Sequence, residues 1–364
     1  MTRKNPNHIF FNPNVNTLKP YVPGQQTNDT EYVKLNTNEN PFGPSPRVKE
    51  TIIQFLENSE SQLRLYPEPE SDSLRKVIAQ KFSIRDDEVF VGNGSDEVLS
   101  LCFLSFFAER GTLSFPELTY SFYPSIAKLF KIPFSTFKLK KDFSLDLTFV
   151  DQKSASIIFP NPNAVTGIAL PVKKIESFVC KNPNKLIIID EAYADFNRAS
   201  CVPLIKKYSN LLVIQTFSKS RGMAGLRIGI CFGNSYLING LRSVKNSFNS
   251  YPIDSLANIA AISAIQDESW FEKNISMIIE IRSYFMLELE KLGFKVLPSS
   301  ANFVLATHPV IKAKVLREYL NLDKILVRHF PNTIVSNWLR ITIGTRENCN
   351  LILTVLKQKI SEVK

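Results

Sequence analysis

Histidine is nearly missing from these 364 residues. The three present, His8, His308 and His329, show no ligand spacing, so no metal site is expected. Cysteine is also sparse. Cys102, Cys180, Cys201, Cys231 and Cys349 are scattered and form no Cys-x-x-Cys pair. An odd, dispersed set in a chain of this size points to reduced thiols, not a disulfide framework. No apolar run reaches the roughly 18 residues of a membrane-spanning helix, and the richest stretch, 99–108, suits a buried helix. The first eleven residues lack the apolar core of a signal peptide. A cytoplasmic location with no membrane partner is the expectation.

Charge is plentiful but diffuse. The formal net charge is +10, yet lysine and arginine are spread along the whole chain. The densest cluster, 138–141, adjoins Asp142 and has no interleaved aromatic residues of the kind that stack single-stranded bases. A solvated basic surface is the reading, with no nucleic-acid partner.

Residues 1–30 are rich in Asn and Pro and read as an N-terminal arm. Beyond them, helical and strand patterns alternate. Helices are expected over 48–58 and 73–82. Short apolar strands are expected at 88–91, 112–115, 156–159, 186–190, 211–216 and 226–232. This alternation predicts an α/β fold with a mostly parallel sheet covered by helices on both faces. Two long helical stretches follow over about 255–292. The last 70 residues then mix strands (303–306, 325–329, 339–343) with helices. The expected division is an arm (1–30), a large domain (31–255, its first part contributing to the smaller one) and a small α+β domain (256–364).

Three segments carry candidate chemistry. In Gly92-Asn93-Gly94-Ser95-Asp96 a strand ends, the chain turns on glycines and a helix begins. A helix N-terminus offers free N–H groups and a positive dipole end, which suit a phosphate. The turn is neither G-x-G-x-x-G nor a P-loop, so it is no nucleotide fingerprint. In the second segment, four aliphatic residues end in Asp190-Glu191-Ala192-Tyr193. That describes a buried strand delivering carboxylates to the sheet edge where open α/β sheets bind ligands. Such a carboxylate either holds a metal or pairs with a cationic ring nitrogen, and the missing P-loop weighs against the metal. The third segment, Thr216-Phe217-Ser218-Lys219-Ser220-Arg221, follows an apolar strand, with Arg227 eight residues after Lys219. Desolvation at a core edge lowers a lysine's pKa and prepares it to form a Schiff base.

A phosphate cup, a strand-end Asp with a following Tyr, and a Ser-Lys loop with a distal Arg are the parts a pyridoxal-phosphate site needs. Together they resemble the fold-type I PLP-dependent aminotransferases. The histidinol-phosphate aminotransferase branch is the most similar, on the further segments Pro20-Tyr21-Val22-Pro23-Gly24, Asn38-Glu39-Asn40-Pro41, Arg64-Leu65-Tyr66-Pro67 and Leu339-Arg340-Ile341-Thr342. The likeness runs from about residue 18 to the C-terminus.

The resemblance implies roles. Lys219 holds the cofactor and shuttles the substrate's α-proton. Asp190 keeps the pyridine nitrogen protonated, Tyr193 hydrogen-bonds the ring oxygen with help from Asn163, and Tyr120 covers the ring face. Gly94, Ser95, Asp96, Ser218 and Arg227 hold the phosphate. Tyr66 reaches the cofactor of a neighbouring subunit, which makes the enzyme a homodimer with shared sites. Arg340 binds the carboxylate of the amino donor or 2-oxo acid, while Arg328, Tyr21, Asn40 and Tyr251 contact the substrate. The implied pair is L-histidinol phosphate and 2-oxoglutarate, in histidine biosynthesis. Aromatic amino acids, secondary-metabolite precursors and decarboxylation of an amino-acid phosphate are the alternatives on the same scaffold. One departure stands out. Related chains carry Pro-Thr-Gly where this one has Val165-Thr166-Gly167, which removes a φ restraint and leaves both Asn161 and Asn163 as candidates for the cofactor contact.

Overall fold

The computed structural model describes residues 10–363. The first nine residues of the expected arm, His8 included, and Lys364 lie outside them. In chain order the strands are β1 (Val33–Leu35), β2 (Val89–Asn93), β3 (Leu113–Pro116), β4 (Phe134–Phe137), β5 (Ser156–Pro160), β6 (Leu186–Asp190), β7 (Leu211–Thr216), β8 (Ile228–Gly233), β9 (Lys295–Val296), β10 (Phe303–Thr307), β11 (Ile325–His329) and β12 (Leu339–Thr342). The helices that frame them are α1 (Pro46–Ser59), α2 (Asp72–Phe82), α3 (Gly94–Phe106), α4 (Phe122–Leu129), α5 (Val172–Lys181), α6 (Ser235–Phe248), α7 (Ser255–Gln266), α8 (Glu268–Lys291), α9 (Ala313–Leu322) and α10 (Arg346–Val363).

Seven strands form the larger sheet in the order β2-β8-β7-β6-β5-β3-β4. The run from β7 to β4 is parallel, and β8 pairs antiparallel with both β7 and β2. The central strands are buried along their whole length, so they read as unbroken aliphatic runs. Successive side chains still go to opposite faces. Ile187 and Ile189 join one core with Ile157, Phe159 and Val213, while Ile188 joins the other with Ile158, Leu212 and Ile214.

The smaller sheet has the order β1-β11-β12-β10-β9. Its first strand, β1, comes from the N-terminal part of the chain and pairs parallel with β11. The expected boundary at 255/256 needs correction at α7. That helix buries Ala257, Ala260, Ala261 and Ala264 in the core of the larger sheet. Alanine on all its inner turns lets it lie close against α1 and α2, so it packs with the larger unit. Of α7 and α8, it is α8, with Ile275, Ile278 and Phe285, that enters the smaller sheet's core. Asp267, between the two helices, caps α8 through the Trp270 N–H.

The described part of the arm lies on α4. Asn14 Nδ2 donates to the carbonyl of Leu129, and Ser125 donates to that of Lys19. This brings Tyr21 to the sheet edge where β6 and β7 end, its ring 5.6 Å from that of Tyr120 in an edge contact.

Candidate active site

One cavity of about 310 Å³ opens at that edge, between the two sheets. Strand parity decides what β6 sends there. Asp190 follows Ile189 on the face occupied by Ile188 and Tyr123, and it lines the cavity. Its Oδ2 accepts a 2.7 Å hydrogen bond from the Tyr123 hydroxyl, and Oδ1 accepts from the Ala192 N–H. Burial pushes its pKa up to about 6, against the pull of those two donors. Glu191, one residue on, turns the other way and accepts from Ser200, Gln215 and the Cys201 N–H. Burial lifts it to about 7.

Lys219 follows β7. Its Nζ donates to the Thr37 carbonyl at 2.9 Å. Desolvation brings its pKa down to about 8, with Glu39 opposing and Arg340 adding to the fall. Glu39 is itself held by Lys34 and Thr37. Burial pushes its carboxyl upward, but those bonds prevail and keep its pKa below the ordinary value.

Beside Lys219 the glycine turn forms a cup. Gly94 has φ +79, and a Cβ there would run into the Arg227 guanidinium. A Cβ on Gly229 would strike the backbone of Gly94 and Ser95. Two glycines thus let β8, the start of α3 and Arg227 close on one point. Ser95, Asp96, Thr216, Ser218 and Arg227 line it, and Arg227 pairs with Asp96 at 3.4 Å. Hydroxyls, a guanidinium and a helix N-terminus together make an anion site.

Aromatic residues wall the centre. The Tyr120 hydroxyl donates to Asp96, and burial beside that carboxylate holds its phenol well above the ordinary range. The Tyr193 oxygen accepts from Asn38 Nδ2 at 2.9 Å. At the far end stand two arginines. Arg340 donates to the carbonyls of Ala164 (2.8 Å) and Asn36 (3.2 Å), and its buried Nε has no partner among the described residues. Desolvation lowers its pKa. Arg328 donates to the Val22 carbonyl.

Residues 30–356 match the family model "Aminotransferase class I and II". The chain belongs to that family. It is 46% identical over 345 residues to a histidinol-phosphate aminotransferase of Lactococcus lactis subsp. cremoris, covering 95% of this chain and 96% of the relative. It is 46% identical over 355 residues to histidinol-phosphate aminotransferase 1 of Bordetella parapertussis, covering 97% and 99%. Among solved structures, the histidinol-phosphate aminotransferase of Clostridium acetobutylicum aligns with a TM-score of 0.82 at 26% identity, over 90% of this chain and 99% of that one. The fold is the expected fold-type I arrangement, a mostly parallel sheet with helices plus a smaller mixed sheet.

This aminotransferase gathers eleven of the sequence candidates around its cavity: Tyr21, Ser95, Asp96, Tyr120, Asp190, Tyr193, Ser218, Lys219, Arg227, Arg328 and Arg340. Gly94 stands at the cup's backbone. Two asparagines are corrections. The Asn163 side chain is spent on backbone, donating to the Leu118 carbonyl after β3 and accepting from the N–H groups of Val165 and Thr166 in its own loop. The alternative, Asn161, is likewise closed onto Leu170. Ala164 and Val165 form the wall there instead. Asn40 is engaged with the carbonyls of Lys219 and Ser220 and with Asn274, so it positions the lysine loop and does not line the cavity. Tyr66 and Tyr251 stack on each other at 4.6 Å, away from this chain's cavity, and Tyr66 is 82% exposed.

Sequence reasoning missed Asn38, Glu39, Phe330 and Tyr123. Asn38 sits two residues before Asn40, and its φ of +59 is the feature that turns it inward. Tyr123 lies in an apolar helix and reads as core packing.

Proposed function

We propose that the chain is a pyridoxal-phosphate-dependent transaminase acting on L-histidinol phosphate and 2-oxoglutarate. The carrying observation is that Lys219, Asp190 and the Arg227 cup line one cavity with Arg328 and Arg340 at its other end. The relatives at 46% identity, named as histidinol-phosphate aminotransferases, support the substrate.

The residues suit the cofactor. A buried carboxylate awaits a cationic partner, a desolvated amine stands beside it, and a glycine cradle offers N–H groups and a guanidinium to a phosphate. When bound, pyridoxal phosphate supplies an electron sink for the substrate's α-carbon. Asp190 would pair with the ring nitrogen and keep it protonated. Tyr193, oriented by Asn38, would offer its hydroxyl to the ring oxygen, and Tyr120 would help to hold the ring. Ser95, the Asp96 N–H, Ser218 and Arg227 hold the phosphate. Lys219 would hold the cofactor, and its amine, whose pKa desolvation brings down to about 8 in this structure, would be the group that carries the proton of the substrate's α-carbon. Arg340 takes the carboxylate of glutamate or 2-oxoglutarate in its planar fork, and Arg328 with Tyr21 receives the phosphate of the donor.

The enzyme works as a cytoplasmic homodimer. The exposed Tyr66–Tyr251 stack, with Leu63, Leu65 and Phe248 also exposed, supports a partner chain on that face, Tyr66 reaching the partner's cofactor. The five free cysteines suit a reducing compartment.

Glutamate release from L-histidinol phosphate and 2-oxoglutarate tests the reading. Turnover at least tenfold more efficient than with phenylalanine or tyrosine as donor supports it. Preference for the aromatic donors, or carbon dioxide release without a 2-oxo acid, would overturn the substrate.

A further inference from the structure

Tyr123 is fully buried on α4, with its ring among Phe103, Phe115 and Tyr120. Phenylalanine would serve that packing. A buried hydroxyl is costly unless it is partnered, and this one donates to Asp190 Oδ2 at 2.7 Å. We propose that Tyr123 is a positioning residue for the reaction: through Asp190 it fixes on which side of the carboxylate–pyridine contact the proton resides. This rests on the assignment of Asp190 to the cofactor's ring nitrogen.

Asp190 and a pyridine nitrogen share one proton. With the proton on nitrogen, the ring is a cation and the strongest electron sink; with the proton on Asp190, both groups are neutral. Burial favours the neutral pair, because desolvation penalises the carboxylate. The Tyr123 hydroxyl opposes it, since donation to a carboxylate is a charge-assisted bond that weakens once the acid is formed. The Ala192 N–H acts in the same sense on the other oxygen. Among the described residues no other group lowers the Asp190 pKa. Asp96, facing from α3, raises the Asp190 pKa further, and the remaining groups that act on Tyr123 are Tyr120 and Tyr193. Tyr123 is therefore the side chain that holds Asp190 anionic and so keeps the ring charged. Removing its hydroxyl leaves the ring less positive. A less positive ring makes the linkage at Lys219 hold its proton to higher pH, and it weakens the ion pair that retains the cofactor.

The test compares Tyr123→Phe with the wild type, both loaded with pyridoxal phosphate. Two quantities are read without substrate: cofactor affinity, and the pH midpoint of the visible absorption band. The expected result is about tenfold weaker affinity, the cost of a lost hydrogen bond to a charged group, and a midpoint displaced upward by about one pH unit. Site-specific 3-fluorotyrosine at position 123 is a second variant that preserves the shape. Its more acidic hydroxyl is the stronger donor, so the midpoint moves downward. An unchanged midpoint in a folded Tyr123→Phe protein, or displacement of both variants in one direction, would overturn the proposal. Should Tyr123→Phe not fold, the direction given by the fluorinated variant decides. A wild type that shows no visible band sinks the cofactor assignment instead, a separate outcome.

Discussion

Arg328 and Arg340 stand directly opposite each other in the antiparallel β11–β12 pair. Both guanidiniums lie over the Phe330 ring, at 5.6 and 5.4 Å. Like charges across a ladder are unfavourable, and the closeness of Arg328 is one of the influences that depress Arg340. Two cations held together at the cavity's end form a site that an anionic substrate relieves. Arg340→Ala should lower kcat/KM about 100-fold with glutamate, whose carboxylate it takes. Arg328→Ala should raise KM for L-histidinol phosphate about tenfold and leave KM for glutamate nearly unchanged. Steady-state kinetics with both donors checks the pair.

Lys219 gives a pH signature in the cofactor-free protein. Its folded pKa, about 8, lies below the ordinary 10.5, so the unfolded chain binds the proton more tightly. The lysine therefore costs stability below pH 8, and stability is regained as pH rises from 8 to 10.5. Lys219→Met should stabilise the apo protein at pH 7 by about 1–3 kcal/mol, the lower end reflecting the amine's partial openness to the cavity. The gain should vanish by pH 10.5. Thermal unfolding across that range measures it.

The cup depends on close backbone approach. Gly229→Ala sets a methyl against the backbone of Gly94 and Ser95, so the start of α3 must retreat from β8. The expected cost is about 1–3 kcal/mol in stability, with cofactor affinity down at least tenfold. Calorimetry and cofactor titration give the two numbers.

Shared sites can be checked by mixing. Lys219→Ala and Tyr66→Ala proteins, each nearly inactive alone, should recover activity when unfolded and refolded together. Hybrid dimers then contain one site with both residues intact, and about a quarter of wild-type activity is the ceiling for random pairing. No recovery would separate Tyr66 from the neighbouring site.

The parts of the site that could be read in the sequence are those whose chemistry is tied to a local pattern. The aliphatic run of β6 ends in Asp190 because a buried strand must deliver its polar residues at its end. The glycines at 92 and 94 announce a turn into a helix, and Lys219 follows a strand of six buried residues. What the sequence concealed is pairing across distance. Asn40 and Asn163 have the donor and acceptor chemistry of a binding residue, but each spends it on neighbouring backbone, and nothing in one sequence distinguishes the two uses. Tyr123 sits 67 positions from Asp190 and looks like another core aromatic until the sheet brings them together. The α7 boundary was misplaced because an alanine-rich helix carries no mark of which core it will enter.

The central claim is that Lys219 carries the cofactor. Reduction of the pyridoxal-phosphate-loaded protein with borohydride, followed by peptide mass spectrometry, tests it most directly. One modified lysine, Lys219, is expected, with modification lost when L-histidinol phosphate is added before the reductant. Modification at another lysine, or none, would contradict it.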